Sequence, residues 1–203
     1  MKDFGLVVIG AHFGVWLSEK ISEYRNTNIL LYANSINRKN NEQNRFKQYR
    51  NIFICTNAVF SNNTKKNFYY VKEQSIPKLG KHWASGIGSF DKQHILNHKS
   101  KRFQIQDHDI DKIEIDFITF DDLIEKYKIR SINNLQIDVE GAEYEILNSI
   151  DFKKIKIDSI QFESKHFDGT FTEGPKLKLI KDKLSKNGYQ LTQIDDENIL
   201  AKK

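Results

Sequence analysis

Asp138 and Glu140 stand two residues apart in Leu135-Gln136-Ile137-Asp138-Val139-Glu140-Gly141-Ala142-Glu143-Tyr144-Glu145, where an apolar run gives way to carboxylates, a glycine and a helix-compatible stretch. A carboxylate placed at a reacting centre can take up the proton of a hydroxyl as that hydroxyl reacts. Ligands of open α/β sheets bind at the carboxyl ends of the strands, so the pair is expected to face a pocket. Glu143 reads instead as an acid in the first turn of the following helix, where the helix dipole favours it. A second acidic strand end, Glu163-Ser164-Lys165-His166, brings a carboxylate and an imidazole together; His166 there can orient an acceptor or shuttle a proton.

Near the start, the apolar run Leu6-Val7-Val8-Ile9 leads into Gly10-Ala11-His12-Phe13-Gly14, followed by helical spacing at Phe13, Leu17, Ile21 and Tyr24. Glycines between a strand and a helix let a ligand approach the backbone, and the helix start beyond offers N–H donors to a carboxylate. Taken together, the early glycine turn and the late Asp-Val-Glu-Gly-Ala-Glu run resemble the FkbM-type methyltransferase family, over nearly the whole chain. The resemblance implies S-adenosylmethionine as cofactor and a small-molecule or glycan acceptor, methylated on a sugar-type hydroxyl. It places Gly10, Ala11, His12 and Gly14 at the methionine end, Asn34 at the ribose and Asn57 near the adenine. Asp138, Glu140 and His166 would face the reacting centre.

Two positions depart from the family pattern. Val8 stands where members carry an acid two residues before the first glycine. Ala33 stands where a Glu ending the second strand accepts the ribose hydroxyls. Losing a charged hydrogen-bond acceptor costs about 1.5–3 kcal/mol, part of which Asn34 or Ser35 can recover. A second function class follows from these departures: the same sheet used as a binding or assembly module without catalysis. The chain begins at Met1 just before the first strand run, which would leave the pocket without an N-terminal cover.

Positioning these groups requires strands alternating with helices. Strands are expected at Leu6–Ile9, Asn28–Tyr32, Asn51–Cys55, Asn134–Asp138 and Ile157–Phe162, the last ending on Glu163. Asn34 to Gln48 is polar and helix-compatible. Ala58–Phe60 and Asn67–Val71 flank a polar turn and read as a hairpin. Lys112–Ile118 alternates like a half-exposed strand, and Thr119 caps a helix whose first turn holds Asp121 and Asp122. Helices are expected at Tyr144–Ile150 and at Pro175–Lys186, the latter stopped by Asn187-Gly188. Tyr189–Ile194 and Asn198–Ala201 form a terminal hairpin. The sum is an α/β fold, a doubly wound Rossmann-like methyltransferase sheet, mostly parallel with an antiparallel C-terminal edge hairpin.

The 203 residues fit a single methyltransferase-like domain, with a long loop or lid at about 72–101. That loop holds His82, Trp83 and Ser85 between glycines, which suits a cover over a polar acceptor. Hydrophobic residues make up 38% of the chain, enough for a core, while a mean hydropathy of -0.62 implies a polar surface. The net charge of +5 comes from 32 bases against 27 acids that are scattered rather than blocked. A nucleic-acid methyltransferase, the third reading, would show a basic stripe and a stacking motif. A lone Cys55 permits no intrachain disulfide, and it reads as a core residue. No apolar run approaches the roughly 18–20 residues that span a bilayer, and a cytoplasmic setting without membrane contact is expected. No metal is expected. His94 and His98 lack the adjacent Glu of the hydrolase motif, and Asp107, Asp109 and Asp111 are followed by Lys112 where a calcium loop needs glycine.

Overall fold

The computed structural model describes residues 1–10, 18–32, 46, 49–79, 88–97, 105–139, 141–165, 167–168 and 173–203. Its strands are β1 (Lys2–Ile9), β2 (Asn28–Tyr32), β3 (Ile52–Cys55), β4 (Ala58–Val59), β5 (Lys65–Val71), β6 (Gly88–Ser89), β7 (Ile110–Ile118), β8 (Ile129–Ile137), β9 (Lys156–Glu163), β10 (Gln190–Gln193) and β11 (Asn198–Lys202). Its helices are α1 (Ser18–Glu23), α2 (Ile76–Leu79), α3 (Lys92–Leu96), α4 (Phe120–Tyr127), α5 (Glu143–Ser149) and α6 (Pro175–Lys186). The chain divides into two compact units, one of residues 1–63 with 118–203 and one of residues 64–117.

The first unit is built on a seven-stranded sheet of order β10-β11-β9-β8-β1-β2-β3. From β9 to β3 every pairing is parallel, and β11 alone runs against its neighbours β9 and β10. The all-apolar strand runs have the expected cause, since every residue from Phe4 to Ile9 is buried and so is Leu135 to Ile137 with Gln136. Beside α1, Leu6, Val8, Ile21, Ile29, Leu31 and Phe46 form one apolar cluster. Both β1 and β8 start earlier than their hydrophobic runs. Their outer ends are held by polar contacts: Arg130 pairs with Asp3, and the Ser131 hydroxyl donates to Asp3 at 2.6 Å.

The stretch that aims β8 is tightly made. Thr119 caps α4 as expected: its hydroxyl oxygen accepts the Asp122 N–H at 3.1 Å, and Asp122 accepts the Thr119 N–H at 2.9 Å. Lys128, at φ 54, ends the helix in the left-handed conformation and turns the chain directly into β8. α6 occupies Pro175–Lys186 as the sequence predicts, with the C-terminal hairpin after it.

The second unit carries an antiparallel sheet of order β7-β5-β6. The expected hairpin between Ala58–Phe60 and Asn67–Val71 does not form. β5 pairs instead with β7, Phe68 opposite Ile113, because the polar segment between the two runs lacks the tight two-residue turn chemistry that closes a hairpin. The long stretch from residue 72 contains ordered elements, α2, β6 and α3, whose side chains Leu79 and Ile95 join Val71, Ile105 and Ile110 in a second core. Asp109, fully buried, ties this unit together. It accepts the Ser75 hydroxyl and the Gln106 N–H, both at 2.9 Å, and pairs with Lys78. Burial would raise its carboxyl, but Lys78, Gln106 and Ser75 outweigh that and hold it below the usual range.

Asp109→Asn should therefore destabilise this unit by about 2–4 kcal/mol, because Lys78 loses its counter-charge and one donor loses its acceptor. Urea unfolding followed through the second unit's amides would read the loss. Wild-type stability from Asp109 should persist above its ordinary value near 3.8 and vanish as pH falls further.

Candidate active site

The chain leaves β1 toward β2 on one side and returns to its other side as β8, so the sheet switches direction between β1 and β8. Both candidate motifs lie at that point. The parallel register sets Ile9 against Ile137, and the Asp138 N–H donates to the Ile9 carbonyl at 2.9 Å. Gly10 follows with φ +92, and a Cβ on it would lie 1.6 Å from the Asp138 carbonyl oxygen. Gly10 and Asp138 are thus packed against each other, and the glycine is demanded by the backbone that follows β8 as well as by its own conformation.

Glu143 is the group that sequence reasoning undervalued. It does open α5, but its side chain is 1% exposed rather than displayed to solvent. Oε1 accepts the Val139 N–H at 2.7 Å and Oε2 the Gly141 N–H at 2.9 Å. The carboxylate therefore spans the turn whose corner is Gly141, at φ +113. Burial, with a smaller push from the Asp138 charge, raises its carboxyl to about 7 against the pull of the two N–H bonds. The signal in the sequence was the fixed spacing of Glu143 behind Asp138. Its direction back along the chain was not encoded in any periodicity.

Asp138, Glu143 and Glu163 bring carboxylate oxygens within 4.8 Å of one another. Positive charge reaches this cluster from Lys165, which pairs with buried Glu163 and, at 3.3 Å, with Glu197 of the C-terminal hairpin. The Ser164 N–H also donates to the Glu197 carbonyl at 2.7 Å, so the reversed strand β11 and its turn fix the end of β9. Phe167 follows, buried against Tyr144 and Phe162 at ring separations of 6.2 and 5.7 Å. Beneath the cluster, half-buried Lys20 of α1 donates to the side-chain carbonyls of Gln136 (3.0 Å) and Gln161 (2.9 Å), and burial lowers its ammonium pKa.

Among the residues expected at a site, Gly10 and Asp138 come together. Asn57 lies beyond the end of β3, where its side-chain carbonyl accepts from Lys126 at 2.7 Å. Val8 is buried in the apolar cluster beside α1. Ala11, His12, Gly14, Ala33, Asn34, Ser35, Glu140 and His166, and the loop residues His82, Trp83 and Ser85, lie outside the described residues, as does His98. The three acids compared with a calcium loop stand in the second unit, where Asp107 pairs with Lys92 at 2.6 Å and Asp109 is occupied as above. Among the described residues, no helix is long and apolar enough to cross a membrane.

Two outcomes follow. Gly10→Ala should cost about 2–4 kcal/mol, from the left-handed backbone and the collision with Asp138, and thermal unfolding would measure it. The raised carboxyl of Glu143 means that the folded state holds a proton more tightly than the unfolded state, between its ordinary 4.5 and about 7. Its contribution to stability is fully present below 4.5 and is lost as pH rises through about 7. Denaturant unfolding of wild type should then weaken relative to Glu143→Gln by on the order of 3 kcal/mol as pH is raised from acid to alkaline values. Parallel curves for the two proteins would refute a buried titrating Glu143.

Comparison with known proteins agrees with this architecture. No protein of curated function matches the chain. Among solved structures, an FkbM methyltransferase from Methylobacillus flagellatus KT aligns over 99% of this chain and 44% of its own, with a TM-score of 0.52 and 13% identity. This chain accordingly spans less than half the length of that relative. A precorrin-6y C5,15-methyltransferase from Geobacter metallireducens GS-15 (TM-score 0.46, 12% identity, 100% of this chain and 82% of that one) and a fibrillarin from Aeropyrum pernix (0.46, 10%, 99% and 66%) align more loosely. The family model for the methyltransferase FkbM domain matches residues 9–191, nearly the whole span from the end of β1 to the C-terminal hairpin, and the chain belongs to that family.

Proposed function

We propose that this domain transfers a methyl group from S-adenosylmethionine to a hydroxyl of a sugar or glycan-type acceptor. The observation that carries the reading is the meeting of Gly10 and Asp138 at the switch point between β1 and β8, in a chain of the FkbM family. The donor set at that point suits the cofactor. Asp138 stands half-buried at the carboxyl edge beside Glu143 and Glu163, and its carboxyl group suits a ligand bearing ammonium and sulfonium cations. When bound, the cofactor would supply an electrophilic methyl group.

The roles of the chain's own residues follow from their places. Gly10, with Ala11, His12 and Gly14 after it, would receive the methionine end at the turn out of β1. Asn34, just past β2, would meet the ribose. Asp138, half-buried at the end of β8, would hold the acceptor hydroxyl in line and take its proton as the new oxygen–carbon bond forms, with Glu140 and His166 completing the acceptor side. The substrate class rests on the family resemblance, and the acid cluster supports the cofactor rather than the acceptor.

One observation favours a second reading, a methyltransferase-fold binding module. The family's acid before the first glycine is replaced by Val8, which is packed into the apolar core and offers no hydrogen bond. Calorimetric titration with S-adenosylhomocysteine separates the two, since heat at submillimolar ligand is expected from the enzyme and none at millimolar ligand from the module. With a glycan acceptor in hand, Asp138→Asn should keep the fold and lower single-turnover methyl transfer by roughly 10²-fold or more. Full transfer by this variant would remove Asp138 from the chemistry.

A further inference from the structure

Glu143 makes no contact that a ligand would need, yet it is the most completely buried acid of the first unit's carboxyl edge. Both of its oxygens are spent on the chain itself. Val139 and Gly141, the residues on either side of position 140, donate to Oε1 and Oε2 respectively. Asp138, immediately before this turn, is joined through its own N–H to Ile9 and through its carbonyl packing to Gly10. A single side chain thus ties the N–H groups of Val139 and Gly141, next to the Asp138 that meets Gly10. Ala142, the residue before α5, supplies no side-chain cap.

We propose that Glu143 is the positioning residue of this site: acting on no ligand itself, its carboxylate bridges the Val139 and Gly141 N–H groups and so aims Asp138 into the cleft and seats it against Gly10. The inference rests on the methyltransferase reading for what is being aimed. It also makes the turn sensitive to proton uptake. An ionised carboxylate accepts both N–H bonds, whereas a protonated one turns an oxygen into a donor. Among the described residues, the charged groups facing it are Asp138 at the end of β8, Glu163 at the end of β9 and Lys165 beyond it. The lysines of α6 meet α5 elsewhere, Lys176 near Glu145 at 3.7 Å and Lys183 at the Leu147 and Asn148 carbonyls. Burial supports a titration near neutrality.

The test uses the full chain, isotope-labelled for nuclear magnetic resonance, with S-adenosylhomocysteine as the probe. In Glu143→Gln the amide nitrogen can only donate, so one of the two N–H groups loses its acceptor, and its hydrogen exchange should quicken by about tenfold or more. The dissociation constant for S-adenosylhomocysteine should rise by roughly fivefold or more as Gly10 loses its fixed neighbour. Glu143→Asp keeps the charge but falls one methylene short of bridging both donors, and should fail in the same way; rescue by Asp would mean that charge alone matters and would overturn the inference. Unchanged exchange and unchanged ligand affinity in folded Glu143→Gln would overturn it as well. Should neither variant fold, wild type decides: the Val139 and Gly141 amide shifts must follow the Glu143 carboxyl carbon through one midpoint, and amides indifferent to that titration refute the bridge. A wild-type chain that binds no S-adenosylhomocysteine would overturn the methyltransferase reading, and the positioning role with it, whatever the amides show.

Discussion

The parallel pairing of β1 with β8 is the constraint on which the carboxyl edge of the sheet depends. Six pairs share one register between these strands, from Asp3 opposite Ser131 to Ile9 opposite Ile137, and β1 is buried from Phe4 onward. Such pairing joins residues about 130 apart in sequence, so its entropic cost must be met by burying apolar surface on both faces. Once it is met, the two strand ends have no freedom left. Asp138 must bond back to Ile9, and the residue after Ile9 must lack a Cβ. The chemistry-bearing residues are placed by the core, and the core tolerates only glycine at the point where they touch.

The edge then has to manage charge in a partly dry setting. Three carboxylates lie within 4.8 Å, two of them buried, and unpaired buried charge is costly. The structure answers with three different devices. Glu163 is met by the ammonium of Lys165, itself shared with Glu197. Glu143 is met by backbone N–H groups and by a readiness to hold a proton. Asp138 stays half-buried just past the end of β8. The Asp138 charge adds to the burial that raises Glu143, so these two acids are coupled through the turn.

Much of this was legible in the sequence, and the limits have physical causes. The apolar runs Leu6–Ile9 and Ile29–Tyr32 read as strands covered on both faces and are buried throughout, and Thr119, Pro175 and Asn187-Gly188 mark helix ends by local chemistry. The meeting of Gly10 with Asp138 followed from the switch-point rule. The partner of β5 did not follow, because pairing across forty residues leaves no local trace and the adjacent run Ala58–Phe60 looked equally suitable. Nor did the direction of Glu143. A first-turn acid has the same sequence signature whether it charges a helix start or reaches back into a turn, and burial alone separates the two.

The replacement at Val8 is best understood from the same face of the sheet. Val8 lies opposite Gln136 in register, and Gln136 lies opposite Gln161. Beside these strands Lys20 brings a half-buried ammonium, which the two amide oxygens satisfy without any carboxylate. An acid at position 8 would enter a cluster of Leu6, Ile21, Ile29, Leu31 and Phe46, where its desolvation would have to be offset by a cation. The valine instead adds to the packing that holds β1 in place, and the Lys20 ammonium beside these strands is satisfied by neutral groups.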